Sequence, residues 1–209
     1  MEFSVGSCIS FGWEIFKKRP LFLIGTFLLI SLGSSIINGI FSNVLGHNGI
    51  GPFISFLINI VIQVFVGIAY VSLSLKAHDS IETLELKDLW RPEFFLQYLL
   101  TSTVVFVIVM VGLVLLIIPG IIAALMFSFS SYLVVDRSLP VTEALKESSR
   151  ITRGHRLDLL WLLFVVFGIN VVGLLCLIVG LLVTIPVSML AIVHAYRVLE
   201  QKANASAAA

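Results

Sequence analysis

Residues 150–173 read RITRGHRLDLLWLLFVVFGINVVG. Arg150, Arg153, His155, Arg156 and Asp158 crowd the first nine positions, and the fifteen residues after Asp158 carry no charge. A basic cluster running straight into an uncharged stretch marks a helix leaving water for lipid. Composition extends this reading to the rest of the chain. Of 209 residues, 59% are hydrophobic and 12% charged, whereas a soluble domain carries about 25% charged residues. Most of the chain must therefore lie in hydrocarbon.

A span takes roughly 20 apolar residues. The uncharged stretches 20–75, 94–135 and 159–196 are each far longer. Each holds turn or breaker residues near its middle: the run from Gly46 to Pro52, then Pro119-Gly120, then Gly180 with Pro186 beyond it. The sequence predicts an all-α polytopic membrane protein of three hairpins. Its six spans lie at about 21–45, 52–75, 94–118, 120–135, 159–179 and 181–198. The 13 Lys and Arg test this count: they lie at 17–19, 76–91, 137–156 and 197–202, all on one side, and the hairpin tips carry none. An excess of Lys and Arg marks the cytoplasmic side, so both termini are expected there. No signal peptide is expected, because charges precede Leu21 and no cleavage site follows a short apolar core. Cys8 is placed on the cytoplasmic side and Cys176 inside a span, which argues against a disulfide between them.

Each hairpin follows a segment with helical spacing of apolar residues. In the first, Val5, Cys8, Ile9, Gly12, Trp13 and Phe16 recur with Glu14, Lys17 and Lys18 between them. The second repeats this weakly through Ile81, Leu84, Leu89 and Trp90, with Asp79 and Glu82 in capping-box spacing and Pro92 as its stop. The third has Val141, Ala144, Leu145 and Ile151, with Pro140 at its start and Gly154 as its C-cap. Short cytoplasmic amphipathic helices lying in the interface are therefore expected before each hairpin. This divides a single transmembrane domain, 1–202, into modules of about 5–75, 79–135 and 138–198. "VGLVLLIIPG" at Val111 echoes "VGLLCLIVG" at Val172. Residues 203–209, ANASAAA, read as a disordered tail or a remnant of cloning.

The spans hold no Asp, Glu, Lys or Arg near their middles, and proton relays and ion pumps depend on such residues. His194 reads as a satisfied interfacial histidine. His47, His78 and His155 are scattered, so no metal or cofactor site is expected, and no nucleophile, base and carboxylate assemble into a catalytic set. A net charge of +1 argues against nucleic acid as a partner. In the second span Ser55, Asn59, Gln63, Gly67, Tyr70 and Ser74 share one face. They either line a pathway for a polar group or form interhelical hydrogen bonds worth about 0.6–2 kcal/mol each; the second use is the commoner. Ser31, Ser35 and Gly39, and then Gly120, Ala124 and Ser128, place small residues four apart for close helix packing. Lys17, Lys18, Arg19, Arg150, Arg153 and Arg156 are candidate contacts for anionic lipid headgroups, at about 1 kcal/mol per cation, and also serve as topology determinants.

At "GWEIFKKRP" and at "IPGIIAALMFSFSSYLVVDRSLPVTEALKESSRITRGHR" the chain resembles bacterial six-span membrane proteins of unknown function. It is similar there to the membrane domain that accompanies some glycerophosphoryl diester phosphodiesterases. The resemblance implies an inner-membrane protein; the soluble catalytic portion of those phosphodiesterases has no counterpart here. Three functions compete. The first is a non-enzymatic protein that organises lipid or serves as an accessory subunit, with membrane lipids, a membrane protein or a second copy as partners. The alternative is a transporter or translocator of amphiphiles, and the least supported is an intramembrane enzyme.

Overall fold

A computed structural model describes residues 3–45, 50–176 and 179–208 of the chain, with side chains described to residue 205. The described residues form α1 (Val5–Lys18), α2 (Pro20–Leu45), α3 (Gly51–Ser80), α4 (Phe95–Leu115), α5 (Ile117–Met126), α6 (Ser130–Arg137), α7 (Val141–Thr152), α8 (Arg156–Leu175) and α9 (Leu181–Ala208). Among the described residues six segments are long and apolar enough to cross a membrane: Pro20–Leu45, Gly51–Thr83, Leu86–Leu115, Ile117–Arg137, Arg156–Leu175 and Leu181–Ala205. The all-α, six-span, three-hairpin reading therefore holds. The first expected turn falls mostly on residues 46–49, which lie outside the described residues.

Prolines set several boundaries. Pro20 opens α2, and the residue before a proline is pushed out of the helical region, so α1 ends at Arg19 with φ −143°. Pro119 does not make the second hairpin turn. It sits in the first turn of α5, where a missing N–H costs nothing, and the chain reverses at Leu116, with φ −160° and ψ 139°. Gly120 serves the close approach of the two helices: a Cβ there or on Gly112 would collide with the other arm of the hairpin, and Gly173 and Gly180 meet in the same way in the third hairpin. The echo between "VGLVLLIIPG" and "VGLLCLIVG" thus has a shared physical use. Cys176 is not inside a span, because α8 stops one residue earlier and leaves it exposed at the tip.

The connections differ in kind. α1 buries Cys8, Gly12, Ile15 and Phe16. A Cβ on Gly12 would lie 2.6 Å from the Val187 carbonyl oxygen, so only glycine lets α1 press onto α9 this closely. Trp13 stays 46% exposed. The second connection is not an α-helix: it is three 3₁₀ turns, Ile81–Thr83, Leu86–Leu89 and Pro92–Phe94. The capping box forms at Glu85 and Asp88 rather than at Asp79 and Glu82, and it closes a single turn. Arg91, ahead of Pro92, is then barred from continuing it. α7 follows the expected register, and Gly154 after it takes φ +85°. The tail is helical through Ala208, as its alanines favour, and Arg150 donates to the Ala203 carbonyl and to Asn204 Oδ1.

The fourth span is broken at residues 127–129, between α5 and α6. A break exposes backbone groups that hydrocarbon cannot satisfy. α7 supplies the partners. Ser148 Oγ donates to the Met126 carbonyl at 2.9 Å and accepts from the Phe129 N–H at 3.2 Å, and Thr152 Oγ1 donates to the same Met126 carbonyl at 3.4 Å. Ala144, Ser148, Ile151 and Thr152 form the buried stripe of α7. Their i, i+4, i+7, i+8 spacing is that of a helix face turned inward. α9 is the centre of the bundle, with half of its most apolar window buried against 6% for the segment containing α4.

The two cysteines report the path of the chain. Burial pushes the Cys8 thiol up to about 11. In sealed vesicles an impermeant maleimide should modify Cys176 from one face and leave Cys8 untouched. In a Cys176→Ser background, Glu85→Cys should react only from the opposite face. Labelling of both tip and connection from the same face would break the six-span path.

Candidate functional site

The helices gather their charged ends at one end of the bundle. Arg197 of α9 stands in the middle. Its Nη1 and Nη2 donate to Asp136 Oδ2 and Oδ1 at 2.7 and 2.9 Å, and Nη2 also donates to Asp79 Oδ2 at 2.7 Å. A planar guanidinium suits this two-pronged pairing. One turn on, Glu200 accepts from Arg197 Nη1 at 3.3 Å and pairs with Arg137. Arg137 lies 3.5 Å from Glu147 of α7, whose two carboxylate oxygens take Nε and Nη2 of Arg150 at 2.8 and 2.6 Å. The fully buried Tyr196 hydroxyl sits 2.9 Å from Asp136 Oδ2 and 3.1 Å from Glu200 Oε1. One chain of ion pairs thus joins α3, α6, α7 and α9. A neighbouring contact ties in α1: His78 Nε2 and His194 Nδ1 lie 3.2 Å apart, and Phe11 packs on both rings. His78 is therefore paired, not scattered as its place in the sequence suggests.

Two hollows flank this network. A cleft of about 150 Å³ opens beside Arg197 and is lined by Ser72, Lys76, Asp79, Arg91 and Asp136, among others. Further along the same face of α3, an apolar groove of about 450 Å³ runs between α2 and α3. Gly33 and Ala69 form part of its walls, and Leu86 and Trp90 close the end nearer the charges. The Trp90 ring lies flat on Phe65, with centroids 4.9 Å apart and planes at 7°, and is 66% exposed.

The candidate headgroup contacts are scattered over this end. Lys17 and Lys18 are exposed on the last turn of α1. Arg19 donates to the backbone carbonyls of Ile81 and Glu82 at 3.0 and 3.2 Å and stacks over Phe22. Arg150 is engaged with Glu147. Arg153 and Arg156 line a separate open cleft with Ser149 and Asp158, and Arg156 Nε is buried without a hydrogen bond. On the polar stripe, Asn59 Nδ2 donates to Asn38 Oδ1 of α2 at 3.0 Å, and the Tyr70 hydroxyl is 2.7 Å from Ser31 Oγ. Ser55 Oγ is buried and unpartnered. Gln63 faces outward from α3. Among the described residues no group of His, Cys, Asp and Glu could hold a metal ion.

Asp79, Asp136, Arg137, Tyr196, Arg197 and Glu200 do not stand out in the sequence as a group. The available signal is the i, i+3 spacing of Arg197 and Glu200 just past an apolar run, together with acids at the ends of two other spans.

These features define a multi-pass, all-α integral membrane protein with a charged end held together by ion pairs. No family model matches the chain, and no curated protein or solved structure matches it either.

The hydrogen bonds from Arg150 hold the Glu147 carboxyl below its ordinary range, with the charges of Arg150 and Arg137 adding to the effect. A carboxylate whose folded value is depressed contributes stability above its unfolded value, and that contribution is lost as pH falls through the folded one. Glu147→Gln should therefore lower the melting temperature in detergent at neutral pH. The gap to the unmodified protein should close as pH falls below about 4, where glutamate protonates in the unfolded chain. A gap constant from pH 7 to pH 3 would show that the ion pair contributes nothing.

Proposed function

We propose that the protein is a non-catalytic membrane component that holds and organises lipid, by itself or as an accessory subunit of a larger assembly. The observation that carries this reading is the apolar groove on α2 and α3. It is open to the surrounding hydrocarbon, about 450 Å³ in volume and stopped at the charged end by the amphipathic Trp90. Hydrocarbon walls with an interfacial tryptophan at one end suit an acyl chain with its head toward the charges. Exposed Lys17 and Lys18, and the cleft at Arg153 and Arg156, supply cations for further headgroups. Lys and Arg are gathered at this end, which we place in the cytoplasm by the positive-inside rule. The resemblance at residues 136–156 suggests a bacterial inner membrane.

One feature favours translocation, since broken spans are used in transporters to build sites at membrane depth. Here the break between α5 and α6 is closed by Ser148 and Thr152, so organisation of lipid is the preferred reading.

A Cβ at Gly33 meets nothing within 4 Å. Gly33→Leu should thus fold normally, with helix propensity improved by up to about 1 kcal/mol, while its side chain occupies the groove. Purified in mild detergent, this variant should lose co-purifying phospholipid that the unmodified protein retains, as read by native mass spectrometry. Equal retention in a normally folded variant would remove the groove from the account.

A further inference from the structure

We infer that the cleft between α3 and α6 is a phosphate-binding site, formed by Lys76, Arg91 and Ser72. The inference rests on donors left over once the ion pairs are counted. Both oxygens of Asp136 accept from Arg197. Asp79 gives one oxygen to Arg197 and the other to His78 Nδ1, at 3.0 Å. Each carboxylate oxygen of the cleft thus already holds a partner. The donors do not. Among the described residues Lys76 forms no ion pair, and Arg91 only approaches the Phe94 ring, at 5.8 Å. The Ser72 hydroxyl is buried with no hydrogen-bond partner. A buried hydroxyl without a partner is costly, and two half-buried cations beside it add a demand for negative charge.

The ligand must then be an acceptor with several oxygens and a negative charge. Phosphate meets both needs: Arg binds it through paired N–H groups, Lys as a point charge and a hydroxyl as a single donor. The cleft's volume of about 150 Å³ leaves room for a phosphate group. Two sources share this chemistry. One is the phosphodiester of an anionic lipid, and the other is free phosphate from the aqueous side. The lipid source deepens the proposed reading of the groove and rests on it. Residues of the groove and the cleft follow one face of α3, from Ile62, Val66 and Ala69 to Ser72, Lys76 and Asp79. Trp90 belongs to the groove and the adjacent Arg91 to the cleft. A lipid passing Trp90 would place its chain in the first and its phosphate in the second.

The test uses the full chain in mild detergent with three probes: phosphatidylglycerol, phosphatidylcholine and inorganic phosphate. Retention of each lipid is read by native mass spectrometry, and protection by each probe as a shift in melting temperature. Lys76→Gln, Arg91→Gln and Ser72→Ala are compared with a substitution of the exposed Lys146, Lys146→Gln, and with Gly33→Leu. Lys76→Gln and Arg91→Gln should each weaken binding of phosphatidylglycerol about tenfold. Both should weaken phosphatidylcholine by a smaller factor, because it carries the same phosphodiester with a choline cation offsetting its charge, and Lys146→Gln should alter neither. Gly33→Leu should weaken both lipids, so a loss confined to that variant concerns the groove alone. If inorganic phosphate protects as well as phosphatidylglycerol, and both cleft variants abolish that protection, the site is upheld with free phosphate as its source. If Lys76→Gln, Arg91→Gln and Ser72→Ala all fold and bind phosphatidylglycerol and phosphate as the unmodified protein does, the site is overturned.

Discussion

The bundle depends on the guanidinium of Arg197. Three apolar hairpins in lipid have no hydrophobic reason to associate, since the acyl chains around them are as apolar as their own side chains. Something directional has to choose the arrangement. Arg197 does so by bonding Asp79 at the end of α3 and Asp136 at the end of α6, while its own helix carries Glu200 to Arg137. Each hairpin reaches this cluster through at least one residue. Such a network is costly to desolvate, and its effect is specificity as much as stability: removing Arg197 leaves the mostly buried carboxylate of Asp136 without its guanidinium partner, a loss of up to about 3–5 kcal/mol for a buried pair.

The same demand explains α7. The hydrocarbon core tolerates no bare backbone, yet the fourth span is interrupted at residues 127–129. Ser148 turns this defect into an anchor, because its hydroxyl donates to one side of the break and accepts from the other, and Thr152 adds a longer bond to the Met126 carbonyl. α7 is thereby pinned to α5 and α6 at its buried face and linked through Glu147 to the charged network. Chain segments that link the spans end up as structural parts of the bundle. The hollows that remain, the groove on α2 and α3 and the cleft at Lys76 and Arg91, are the places where this bonding leaves apolar walls and donors unused.

The spans are legible in the sequence because charge is absent from them and concentrated between them, and both signals are local. The boundaries are less so. Pro119 reads as a breaker, but a proline in the first turn of a helix breaks nothing, and only the approach of Gly112 to Gly120 reveals why the turn lies at Leu116. The break before Phe129 carries no breaker residue, and Ser128 and Ser130 are ordinary within membrane helices. The second connection has helical spacing without helical closure, because Pro92 limits Arg91 and a local cap closes a single turn. The ion-pair cluster is illegible for a different reason. Asp79 and Arg197 lie 118 residues apart, and no pattern within a single segment connects them. The amide partner of Asn59 is expected on a neighbouring helix, but its identity as Asn38 depends on the register of α2 against α3.

The coupling between Asp136 and Arg197 tests most directly whether this network holds the bundle. Asp136→Asn, Arg197→Met and the double variant would be unfolded by denaturant in mild detergent to give a double-mutant cycle. The expected result is a double variant much less destabilised than the sum of the singles, with a coupling of about 1.5–3 kcal/mol. Single effects that add to within about 0.5 kcal/mol would contradict it, and would mean that the hairpins are held by apolar packing alone.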